Sequence, residues 1–171
     1  MNHTIALIAL LLALVAGSAC DIGGRVYVLD EEEGVAVLRE ALEARGYHPD
    51  DATQAVADVI VCPTAGEACD PALSYVLDGW DAAAGVGFEY VSGADPDFPG
   101  AGALTSGAVS ERREAAAALQ EATNAEVSPG VVLVVHRWAH ETALLAREQL
   151  RGHVDRELDA LGLFGPAVGA P

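Results

Sequence analysis

The chain contains no lysine, and all nine of its basic residues are arginines. Schiff-base catalysis and the P-loop phosphate clamp both need a lysine ammonium, so both classes are excluded. Positive charge is scarce altogether. Twenty-six acidic residues leave a formal charge of −17, a balance that repels nucleic-acid phosphates and argues against adhesion to anionic headgroups. No G-x-S-x-G nucleophile elbow occurs, and "GVGFEY" lacks the third glycine and the strand-before, helix-after setting of a dinucleotide fingerprint. No cofactor is expected. Internal repeats and coiled-coil heptads are also missing. What remains is a chain with 51% hydrophobic residues, enough to fill a core, so disorder is not the default.

Only three cysteines are present, at positions 20, 62 and 69. The first closes an N-terminal leader. From Ile5 to Val15 the chain is built solely of Ile, Ala, Leu and Val, a run shorter than the roughly 20 residues that span a bilayer. It reads as the apolar region of a secretory signal, and residues 1–19 as a signal peptide. Two processing routes fit "LVAGSACDIGG". Ordinary signal peptidase accepts small residues at Gly17 and Ala19. The same stretch resembles a bacterial lipobox, in which small residues precede a cysteine that receives diacylglycerol before cleavage on its N-terminal side. Both routes cut before Cys20.

Cysteine parity separates the two routes. A merely secreted chain would carry an odd thiol in an oxidising compartment, whereas acylation of Cys20 leaves Cys62 and Cys69 as an even pair. "CPTAGEAC" is not a C-x-x-C redox motif, and its spacing suits a disulfide staple closing a loop. The resemblance implies an acidic lipoprotein with a lipidated Cys20, a tether over residues 20–24 and a membrane anchor. It places the protein in the bacterial envelope, facing the periplasm or exterior, with secretion as the alternative.

The leader carries no Asp, Glu, Lys or Arg, so the whole formal charge belongs to residues 20–171. One α/β domain over 25–162 and a loose tail over 163–171 are expected. "RVYVL" (25–29) reads as a strand leading into a helix with Val35, Leu38 and Leu42 on one face, stopped at Gly46. Ala57 to Cys62 is nearly continuous apolar sequence, the mark of a strand buried on both faces. Asp70 and Pro71 form an N-cap and N1 pair, predicting a helix from Pro71 to Ala83. "GFEYVS" (87–92) reads as a strand. Residues 93–107 form a Gly/Pro/Asp-rich connection far longer than the usual roughly 4 to 6 residues. Ser110 is expected to cap a helix, "GVVLVVHRW" to form the most apolar strand, and Ala139 to Leu161 to form a final helix. That helix buries Leu150, Val154, Leu158 and Leu161. "YHPDD" is a poor strand because of Pro49 and its polarity. The alternation predicts a single open, mostly parallel sheet of about four strands with helices on both faces, flavodoxin-like in order.

"RVYVLDEEEGVAVLREALEARGY" resembles the first strand and helix of a response-regulator receiver domain. The aspartate that would accept phosphate at about Cys62 and the later lysine are both missing, so phosphotransfer does not carry over. "ALEARGYHPDDATQAVADVIV" is similar to small periplasmic lipoproteins of unassigned function.

In a parallel sheet, ligands bind beyond the carboxyl ends of the strands. That rule gathers Asp30 and Glu31, the Cys62–Cys69 loop, Ser92, Asp95 and Asp97, and His136 with Arg137 on one rim. Carboxylates and an imidazole supply hard ligands and a titratable group, making Asp30, Asp95, Asp97 and His136 the catalytic candidates. His136 and His140 are the metal candidates, though the H-E-x-x-H pattern is absent because Leu144 stands where its second histidine belongs. His153, one step off the apolar stripe, reads as a surface residue. The expected function is a non-enzymatic, lipid-anchored extracytoplasmic binding or accessory module, with an envelope protein as candidate partner and no nucleic acid. A small secreted hydrolase or divalent-cation-binding protein using the strand-end carboxylates and His136 is the alternative.

Overall fold

The structure is a computed structural model that describes residues 26–51, 54–60, 73–92 and 109–164. The expectations at Cys20, Cys62, Cys69, Asp95 and Asp97, and for the leader, tether and terminal tail, lie outside the described residues.

The chain enters through a short strand β1 (Tyr27–Val28) and turns at Asp30 into helix α1 (Glu31–Glu43). The start is encoded locally. Asp30 Oδ1 accepts from the Glu33 amide at 2.9 Å, and the Glu33 carboxylate accepts from the Asp30 amide at 3.4 Å, a reciprocal capping box. Three glutamates in the first turn face the positive helix end. Val37, Leu38, Ala41 and Leu42 supply the buried stripe. The stop is equally local: Gly46 has φ +81, and Tyr47 N–H reaches back to the Leu42 carbonyl at 3.1 Å.

The main sheet runs β2 (Asp50–Asp51), β5 (Gly79–Asp81), β6 (Val86–Val91), β7 (Val131–His136). The first two pairings are antiparallel, and only β6 and β7 are parallel, in register from Val86↔Val131 to Val91↔His136. All six residues of β6 are buried, as befits a central strand. Val86, Phe88 and Tyr90 face α1 and the final helix α3 (Ala143–Ala160), with Leu133 and Val135 of β7 beside them. The opposite face, carrying Val91, Val132 and Val134, packs on α2 (Val109–Glu126) and on the ladder of β3 (Ala55–Val59) with β4 (Leu73–Val76).

Helix α2 is the crossover between the two parallel strands, and its side chains reach the open edge of β7. The Val132 amide donates to Asn124 Oδ1 at 2.6 Å and the Val134 amide to Gln120 Oε1 at 2.9 Å. One turn back along α2 therefore matches two residues forward along β7. Continued by about two more turns, that match extrapolates to Arg112 and Arg113 just past the carboxyl end of β7.

The single, mostly parallel sheet is overturned, and three segments account for the difference. β1 pairs antiparallel with β8 (Ala139–His140) in a separate two-stranded ladder, and the final helix starts after it, at Ala143. β3 is not buried on both faces: Val56 and Val59 are buried, Ile60 is 55% exposed, and Asp58 at φ +59 bends the strand beside a register shift. Instead of a helix from Pro71 to Ala83 the chain forms β4, β5 and a turn over 82–85. The period there is two, with Tyr75 and Leu77 buried between exposed Ser74 and Val76. Gly79 fits because a Cβ would lie 2.2 Å from the Phe88 ring. The alanines 82–84 are turned by Asp81, whose Oδ1 accepts from Ala83 and Ala84 N–H at 3.0 Å each. A short strand also forms at Asp50–Asp51, within the segment read as a poor strand.

Candidate functional site

The carboxyl end of the β6–β7 pair is organised by Tyr90. Its hydroxyl donates to the Leu29 carbonyl at 3.3 Å and accepts from the Trp138 amide at 3.0 Å. One phenol thereby ties the entry to α1 to the segment leaving β7. Burial pushes that phenol up to about 12, so it stays protonated at neutral pH. Gly34 makes room for the ring, since a Cβ there would lie 2.3 Å from it.

His136, the last residue of β7, is 3% exposed. Its Nδ1 sits 2.8 Å from the Arg137 carbonyl; a carbonyl only accepts, so the ring proton is on Nδ1 and Nε2 carries a lone pair. Nε2 is buried and has no hydrogen-bond partner. Burial, the nearby guanidinium groups of Arg112 and Arg113, and His153 when protonated hold the imidazole below its usual pKa, against the raising effect of the Arg137 carbonyl. The ring stacks on Trp138 at 5.7 Å and 17°, and Trp138 stacks on His153 at 5.0 Å and 23°. The resulting His–Trp–His column closes the sheet end from α2 across to α3. His153 is thus no surface residue: its side chain is 14% exposed, and burial lowers its pKa too.

The other expected rim residues have separate duties. Asp30 spends its carboxylate on the α1 cap. Ser92, directly after β6, is buried. Asp30, Glu31 and Arg137 all lie near enough to Tyr90 for their charges to act on it. His140 belongs to β8, where the Gln149 amide approaches its Nε2 at 3.0 Å. Among the described residues no group of three or more His, Cys, Asp or Glu could hold a metal ion. No carboxylate there meets either ring nitrogen of His136. Glu33 is committed elsewhere: Arg147 at 2.7 Å and the Tyr27 hydroxyl at 2.7 Å hold its carboxyl below the usual range.

At the opposite end of the sheet lies an open cleft of about 730 Å³ lined by Tyr47, His48, Asp50, Asp81 and Ala82–Ala84. Its one buried carboxylate, Asp81, is taken up by the backbone amides of His48, Ala83 and Ala84. The sequence reading missed Tyr90, Trp138, His153 and the Arg112–Arg113 pair. The first and the last carried a usable signal: a tyrosine one residue before a strand end, and arginines near the start of the crossover helix that must return to that end.

Compared with known proteins, the chain matches no family model, no curated protein and no solved structure.

Proposed function

We propose that this protein is a lipid-anchored extracytoplasmic binding or accessory module, acylated at Cys20, that engages its ligand at the carboxyl end of β6 and β7. The leader and cysteine parity support the anchor. The observation that carries the binding role is the imidazole of His136: a buried acceptor nitrogen without a hydrogen-bond partner, while Asp30 and Glu33 are engaged elsewhere. Buried polar atoms are nearly always paired, and an exception marks a place where a further group belongs. A hydrolase built on a His–carboxylate pair is less well supported, because Nδ1 of His136 is given to a backbone carbonyl and Asp30 to a helix cap.

Metabolic labelling with a clickable fatty acid tests the anchor. The wild type is tagged and Cys20→Ala is not; equal labelling of the two would overturn it.

A further inference from the structure

Apolar side chains collect on the surface where the chain enters the fold. Among the described residues the large exposed ones include three in a row, Val26, Tyr27 and Val28, and Leu144 in the first turn of α3. Val26 is 62% and Leu144 66% exposed. The others are scattered: Ile60 follows β3, Val76 pairs with the opposite end of that strand, and Phe164 lies beyond the far end of α3.

Contacts hold the first four at one corner. The Glu33 carboxylate accepts from the Tyr27 hydroxyl and from Arg147, each at 2.7 Å, and Leu144 stands one turn before Arg147. β1 is bonded to β8, which ends two residues before the Thr142 cap of α3. Leu29, directly after β1, is buried, so alternation turns Val26 and Val28 to the outer side.

The length of chain ahead of the corner says what covers it. Cys20 lies six residues before Val26, a distance of about 20 Å at full extension. An acylated residue sits at the acyl boundary beneath a headgroup layer of about 5–7 Å. A protein partner would have to fit into the little space that remains, whereas the bilayer surface is always within reach. The exposed carboxylates of Asp30, Glu32 and Glu141 border the corner and disfavour anionic headgroups.

We infer that Val26, Val28 and Leu144, with the Tyr27 ring beside them, form a contact for the zwitterionic surface of the bilayer that carries the anchor. The inference rests on acylation of Cys20. The acyl chains supply the affinity and the apolar corner sets the orientation. Because β8 begins three residues after the last residue of β7, a domain seated on this corner holds the carboxyl end of β7 beside the lipid.

The test uses the acylated chain on phosphatidylcholine nanodiscs doped with a gadolinium-chelating lipid, read as paramagnetic broadening of amide resonances. Cosedimentation with vesicles of the same lipid runs in parallel. Amides of residues 26–28 and 141–147 broaden strongly, and those of Ala82–Ala84 do not. Val26→Ser combined with Leu144→Ser removes apolar surface without adding charge, and both positions are exposed, so the urea midpoint holds. The acylated variant still sediments, but broadening at 141–147 falls several-fold. Wild type that stays in the supernatant overturns the anchor and the inference with it. Sedimentation with the same broadening in wild type and variant overturns the contact alone. Stronger broadening when phosphatidylglycerol replaces part of the phosphatidylcholine would overturn the zwitterionic assignment. Concentration-dependent shifts at the same residues of Cys20→Ser without lipid would identify a second copy as the occupant, and would overturn it too.

Discussion

Replacing Gly34 by alanine sets helix propensity against packing, and the structure decides the sign. In an exposed helix the change would stabilise by about 1 kcal/mol. Here the new methyl would stand 2.3 Å from Cδ1 and Cε1 of Tyr90 and 2.5 Å from Cζ, more than an ångström inside ordinary contact. Tyr90 is 0% exposed and has nowhere to retreat. Overpacking of this kind costs about 1–3 kcal/mol. Moving the ring also strains its hydrogen bonds to Leu29 and Trp138, each worth about 1 kcal/mol. The expected net loss is about 1–3 kcal/mol, read as a lower urea midpoint at unchanged slope. A domain of this size would lose about 2–4 °C of melting temperature per kcal/mol. Tyr90→Leu supplies the control: with the ring gone, Gly34→Ala turns neutral or stabilising, and the cycle reports the coupling. A higher midpoint for Gly34→Ala in the wild-type background would refute the contact.

Two further perturbations concern charge. Asp81 collects three backbone amides, so Asp81→Asn, which offers one acceptor oxygen in place of two, costs about 1–3 kcal/mol at pH 7 by urea unfolding. Those amides hold its carboxyl below the usual range, so its contribution is present above about pH 4 and lost as the pH falls through the folded value. The gap between wild type and variant narrows accordingly in acid, and a constant gap would count against the reasoning. His136 and His153 are both held below the ordinary imidazole value by burial, and the unfolded chain therefore takes up their protons first. Stability is full above about pH 6.5 and declines as the pH falls through that value toward the folded pKa. The groups facing them are Arg112, Arg113, Arg137, Arg156 and Glu157. His136→Phe combined with His153→Phe flattens the urea-midpoint profile between pH 7.5 and 5.5, and an unchanged profile would show that other groups set it.

The helices were legible where their signals were local. Leu38 and Leu42 mark the buried stripe of α1 and Gly46 its stop, and Leu150, Val154 and Leu158 mark the buried stripe of α3. β7 was legible because a buried strand is a continuous apolar run, and β6 from Phe88, Tyr90 and Val91. The antiparallel half of the molecule was not. Asp70–Pro71 and the alanines 82–84 imitate a helix, while the two-residue period of Tyr75 and Leu77 and the ring-sized space at Gly79 express a tertiary preference that outweighs them. Likewise "RVYVL" has strand composition but gives no indication of its neighbour, and with Val26 62% exposed it lies outside the sheet that buries Tyr90. Of the rim, the strand-end rule found His136. It could not show that Asp30 is consumed by a cap, since the same residue serves a cap or a ligand equally well on paper.

The amides of Asn124 and Gln120 have a consequence for the anchored protein proposed above. An open strand edge is a template on which a neighbouring copy can add a strand. Under the proposed anchor, copies on one membrane would be concentrated in two dimensions and meet repeatedly. Along β7 the place of the next strand is taken by side chains of α2, which satisfy Val132 and Val134 with carboxamide oxygens. The far edge, β2, is only two residues long and is written in aspartate. Both borders of the four-stranded sheet are therefore poor templates, one masked by its own helix and one too short and too acidic to extend. The chain can crowd without polymerising through that sheet.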